Sequence, residues 1–71
     1  MITPGQLRRW RNDDPWFPAF SGRTLLVVEC FQHVNHFEDD VPAVRFLVDG
    51  RIEWRHEEDI MEYTRVISEA G

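Results

Sequence analysis

Between Val44 and Trp54 two short runs rich in β-branched and aromatic residues flank Asp49-Gly50, a dipeptide that supplies the positive φ angles a tight hairpin turn needs. No other stretch constrains the fold as strongly. On the first arm Val44, Phe46 and Val48 alternate with Arg45; on the second, Ile52 and Trp54 alternate with Arg51, Glu53 and Arg55. Such period-two alternation marks a strand with one face in a core and the other in water. The pattern predicts a half-buried antiparallel hairpin with both apolar rows on one face and the charged rows on the other.

Size limits the core that this hairpin can join. A chain of 71 residues is expected to form a single domain over residues 1–71 and to bury only about 60% of the surface its unfolded form exposes. Three Trp, one Tyr and five Phe supply bulk, since each aromatic ring can bury roughly 150 to 250 Å². With 42% hydrophobic and 30% charged residues, the composition is that of a globular domain rather than a disordered segment. Cys30 is the sole cysteine, so no internal disulfide supplements the core and a reducing cytoplasm is the expected compartment. Met1 to Gln6 shows no charged-then-apolar leader, and the longest unbroken apolar run, Leu25 to Val28, is far too short for a bilayer. Neither signal-directed secretion nor a membrane partner is expected.

Eight basic against thirteen acidic residues leave a formal charge of −5. Because nucleic-acid affinity comes largely from neutralising phosphates, this balance disfavours general nucleic-acid binding unless the arginines cluster. They partly do: Arg8, Arg9 and Arg11 surround Trp10, whereas Glu38, Asp39, Asp40 and Glu57, Glu58, Asp59 form two acidic knots. This asymmetry suits docking between copies or onto a differently charged protein.

In chain order, Thr3-Pro4-Gly5 is a turn-forming lead-in, and Gln6 to Arg11 reads as a first strand, although its apolar members Leu7 and Trp10 break strict alternation. Asn12 to Gly22 contains Pro15, Pro18 and Gly22 and is a long loop, whose Trp16, Phe17 and Phe20 are expected to fold back and complete the core. Thr24 to Phe31 is the most β-prone run and, with apolar residues at both parities, reads as a central strand or one covered on both faces. Gln32 to Asp40, with His33, Asn35 and His36, reads as an exposed turn. Val41 to Val48 and Arg51 to Arg55 are the hairpin arms, Glu57 to Met61 suits one helical turn with acidic residues at its N-terminal end, and Tyr63 to Ile67 is a last strand.

The expected fold is therefore mainly β: a small five-stranded Src-homology-3-like barrel with one short helical turn before the last strand, closure of which removes the exposed edges of an open sheet. The stretch Pro4 to Trp10, then Asp49 to Trp54, then Asp59, Ile60 and Val66, Ile67, resembles the small barrel proteins of this type that tailed bacteriophages encode. The resemblance spans nearly the whole chain; the departures are the aromatic Trp16 to Phe20 loop and the His33 to Asp40 turn. It implies a small virion or accessory protein, located in the host cytoplasm or the virion.

Cys30, His33 and His36 have the spacing of soft-metal ligands, with Asp39, Asp40 or His56 as a fourth. Against this, residues three apart on a strand point to opposite faces, and no second Cys-x-x-Cys or His pair is present; the plainer reading is a buried Cys30 and two solvent-side histidines. The acidic knots lack the interleaved glycine and distal glutamate of a calcium loop and read as solvated turns. Ser21 and Ser68 have no histidine nearby in sequence, the Cys30 thiol in an apolar strand is expected to be raised in pKa, and no phosphate-cradling glycine loop exists. A filled small barrel also lacks a pocket of several hundred Å³. Neither an enzyme nor a cofactor is expected.

What remains is contact with another macromolecule. Arg8, Arg9, Trp10 and Arg11 with Trp16, Phe17 and Phe20 combine the residue types that dominate protein hot spots, the aromatics as anchors and the arginines for orientation. The expectation is a non-enzymatic interaction or structural module that assembles with itself or a larger protein. Two rivals stand beside it: a nucleic-acid-associated barrel using the same basic and aromatic cluster for base stacking, and an inhibitor or regulator of a host enzyme. Set against all three is a Trp10 that belongs to the core, with its arginines paired to acidic neighbours.

Overall fold

The computed structural model describes residues 1–34, 36, 37 and 39–69. Five antiparallel strands form one sheet: β1 (Leu7–Trp10), β2 (Thr24–Val34), β3 (Asp40–Val48), β4 (Arg51–His56) and β5 (Thr64–Ser68), in the spatial order β4-β3-β2-β1-β5. Among the described residues one α-helix, α1 (Glu57–Tyr63), precedes β5. Among the described residues no ladder joins β4 to β5, so the sheet is not closed and both strands are edges.

Asp49 and Gly50 have φ of 50° and 76°, the two positive angles of a type I′ turn. A two-residue turn makes Val48 and Arg51 neighbours across the ladder, and the register then runs Phe46 to Glu53 and Val44 to Arg55. Paired residues share a face, so the buried row Val44, Phe46, Val48 lies opposite the charged row of β4. The expectation that Ile52 and Trp54 join that row is overturned: they pair with Leu47 and Arg45 on the outer face. A one-residue change of parity moves a whole apolar set to the other side of a sheet.

Two further irregularities explain patterns that the alternation rule misses. On β1 and at Gln6 just before it, the inward positions are Gln6, Arg8 and Trp10, all buried, so a polar pair sits where alternation calls for apolar side chains. On β2 the register slips by one residue at Val28, a bulge that moves the core-facing set from Leu25 and Val27 to the opposite parity beyond it. β2 is central, as its two-sided apolar pattern implies, but it runs on to Val34, three residues into the stretch expected to be a turn. Asn35 and Glu38 of that stretch lie outside the described residues.

Trp10, fully buried, organises the core. The loop after β1 returns over it through a 3-10 turn at Pro18–Phe20, placing Phe20 and Phe17 with ring centroids 5.0 and 5.4 Å from the indole. Ile60 of α1 and Tyr63 close the same cluster. The helix runs to Tyr63, two residues beyond the expected Met61, and its acidic first turn faces its own N-terminal amides.

Candidate functional site

Strand alternation divides the basic and aromatic cluster of β1 rather than assembling it. Trp10 is in the core, and its indole N–H donates to Asp14 Oδ2. Phe20 is also buried and Phe17 half-buried against the same cluster, so neither Trp10 nor Phe20 presents a contact surface. Arg8 is buried too: Nη1 donates to Gln6 Oε1 at 2.8 Å and Nε to Thr64 Oγ1 at 2.7 Å. Burial lowers the pKa of this guanidinium, with the charge of Glu69 opposing. Gln6 Nε2 in turn donates to Glu69 and to the Met1 carbonyl, so a polar network stitches β5 to β1. Only Arg9, Arg11 and Trp16, 73% accessible, reach solvent fully among the seven predicted contact residues.

Arg9 and Arg11 line a groove of about 330 Å³ with Asn12, Glu62, Tyr63 and Arg65. Arg9 stands directly opposite Arg65 across the β1–β5 ladder, a like-charge pair that a bound anion would relieve. Arg23, beside the tight turn, is paired with Asp49 at 3.5 Å.

A second surface, absent from the sequence reading, lies on the outer face of β2, β3 and β4. Beyond the bulge, Phe31 and His33 of β2 point outward, and the type I′ turn sends Ile52, Trp54 and His56 of β4 to the same side. The Trp54 ring lies 4.4 Å from His33, 5.6 Å from His56 and 6.0 Å from Phe31. Arg45, between them on β3, places its guanidinium 4.4 Å above Phe31 and pairs with Glu29 at 2.8 Å. Cation and carboxylate thereby fix one wall of an aromatic cluster whose free side is Trp54, with Ile52 54% accessible beside it. At one end Val41, Pro42 and Met61 form a shallow cleft of about 200 Å³ with Glu57 and Glu58. The hairpin itself held the clue to this face, since a two-residue turn dictates the parity of the second arm once the first is assigned.

Comparison with protein-family models, with curated proteins and with solved structures finds no match.

The soft-metal set does not converge. Cys30 pairs with Val44 and His33 with Val41, which places them on opposite faces of β2, and among the described residues no three His, Cys, Asp or Glu side chains are grouped to hold an ion. Cys30 is exposed rather than buried, but its thiol donates to the Ile2 carbonyl at 3.5 Å and its pKa is raised, by desolvation and then by Glu57 and Glu29. The thiolate is thereby disfavoured as nucleophile and ligand. No helix among the described residues is long and apolar enough to cross a membrane.

Proposed function

We propose that this chain is a non-enzymatic protein-interaction module that docks through the outer face of β2, β3 and β4. The observation that carries the reading is the aromatic cluster of Phe31, His33, Trp54 and His56, continued by Ile52 on an edge strand. Aromatic rings with an oriented arginine at the centre of a surface are the composition of an interface core, and an open edge adds main-chain hydrogen bonding to it. The interaction surface thus moves from the β1 cluster to β4. The strand order, the long loop after β1, the tight β3–β4 turn and the short helix before β5 support a small Src-homology-3-like scaffold whose sheet is left open at β4 and β5 rather than closed into the expected barrel; the reading as a phage-type structural or accessory protein of the cytoplasm or virion rests on the sequence resemblance.

The reading is tested with a photo-crosslinking residue at position 54 in the cells that make the protein, and another at position 65 as a control. A discrete protein adduct from 54 that is missing from 65 supports it. No adduct from 54, or equal adducts from both, overturns it.

The groove lined by Arg9, Arg11 and Arg65 favours one second reading, a single-stranded nucleic-acid ligand. Titration with a short oligothymidine separates the two: binding that falls steeply with salt supports the nucleic-acid reading, and its absence removes it.

A further inference from the structure

We propose that the partner on β4 is a second copy of this chain, paired strand to strand and antiparallel about a two-fold axis through Trp54. The inference rests on the interaction-module reading and names its occupant.

Geometry first decides which backbone groups are available. A type I′ turn at Asp49-Gly50 makes Val48 and Arg51 a hydrogen-bonded pair, so the N–H and C=O of Arg51, Glu53 and Arg55 point toward β3. Those of Ile52 and Trp54, and the N–H of His56, point out of the sheet; the His56 carbonyl belongs to the start of α1. The position of one of them agrees: the Trp54 carbonyl accepts a hydrogen bond from Arg55 Nη1, a side chain of its own strand.

Charge then decides the register. Along β4 the core-side parity reads Arg51, Glu53, Arg55, an alternation of sign, while the outer parity reads Ile52, Trp54, His56. Centred on Trp54, an antiparallel copy places Glu53 against Arg55 of the second copy, twice by symmetry. Trp54 then meets Trp54 as a hydrogen-bonded pair that uses the outward groups, and Ile52 lies beside His56, where the strand gives way to α1. Glu53 and Arg55 fall at non-hydrogen-bonded sites, where opposing side chains come closest. Neighbouring two-fold registers fail on charge. Centring on Glu53 sets it against itself and Arg51 against Arg55; centring on Arg55 sets Arg55 against itself. A charged edge ordinarily discourages pairing; this pattern discourages every partner except one that carries its complement in reverse, as its own copy does. Arg55, which in the single chain lies over Phe20 and Phe17 and contacts Glu53 at 4.0 Å, exchanges the Glu53 contact for one with Glu53 of the second copy. The interface is isologous, and it joins the two aromatic faces into one.

The test is sedimentation equilibrium of the whole chain across the micromolar range, with circular dichroism to confirm that each variant is folded. The wild type is expected to dimerise. Glu53→Arg and Arg55→Glu each place like charges at both crossings of their own dimer and are expected to weaken it by about tenfold or more. An equimolar mixture of the two variants restores opposite charges at every crossing and is expected to recover a dimer containing one of each. Both variants break the intrachain contact, so recovery on mixing reads the contact between copies alone. Should either variant fail to fold, Trp54→Lys, a change at an outward position, sets like charges against each other at the two-fold axis and is expected to leave the chain folded and monomeric. A monomeric wild type, or a dimer that both single variants leave intact, overturns the proposal; a crosslink from position 54 to a different protein would then leave the broader reading standing without it. Rings or fibres in place of a dimer overturn it as well, since the two-fold register closes with two copies.

Discussion

Phe46 and Glu53 stand opposite each other across the β3–β4 ladder, a fully buried ring on one strand and a half-buried carboxylate on the other. That pairing assigns β4 to the surface: its charged row lies beside the core, where Arg55 covers the rings of Phe20 and Phe17 at 4.7 and 5.2 Å, and its apolar row is turned outward.

The inversion predicts unequal outcomes for two aromatic truncations. Phe46→Ala removes a buried ring and is expected to cost about 3–5 kcal/mol, enough to unfold most of a population this small in stability. Trp54→Ser is expected to cost less, about 1–2 kcal/mol, because the ring packs on Phe31, His33 and His56 from one side and keeps 37% of its surface in water. Urea denaturation of both measures the contrast, and equal losses would contradict the register.

Gly50→Val is expected to destabilise by about 1 kcal/mol or more, because a β-branched residue is strained at the φ of 76° that the turn requires. A Cβ there meets no atom within 4 Å, so the whole effect is backbone strain. Thermal unfolding at the wild-type midpoint would refute it.

Arg8→Ala leaves Gln6 Oε1 and Thr64 Oγ1 without their donor inside the β1–β5 seam. An unsatisfied buried polar group costs about 1–3 kcal/mol, and the loss is expected to fall first on β5, whose residues after Thr64 are all exposed and contribute little apolar burial. Hydrogen exchange read by mass spectrometry should show β5 amides losing protection before those of β3.

Acid is expected to loosen the loop after β1 through Asp14. Desolvation raises this carboxyl, but the indole N–H of Trp10, the amides of Trp16 and Phe17 and the charge of Arg11 outweigh it and hold its pKa below the usual value. A carboxyl whose folded pKa is depressed contributes stability above its unfolded pKa of about 3.9 and loses it as pH falls through the folded value. Asp14→Asn is therefore expected to be less stable than the wild type at neutral pH, with the gap narrowing below about pH 4. A constant gap from pH 7 to 3 would contradict this.

Local chemistry alone determined a good deal of this protein. The Asp49-Gly50 turn, the prolines that break the Asn12 to Gly22 loop and the acidic start of α1 act over a few residues, so the mainly β order and the succession of elements were legible in them, though β2 and α1 run three and two residues past their expected ends. The return of Phe17 and Phe20 to the core was legible too, whereas Trp16, expected to return with them, stays 73% accessible. Which face each strand presents was decided elsewhere. The bulge at Val28, the buried Gln6 and Arg8 on β1, and the charged row of β4 beside the core depend on pairing between strands far apart in sequence, where a shift of one residue exchanges inside for outside. Tertiary structure therefore took Trp10 into the core and brought Phe31, His33 and Trp54 to the surface together, since a side chain's face is a property of the ladder that holds it and not of the residue.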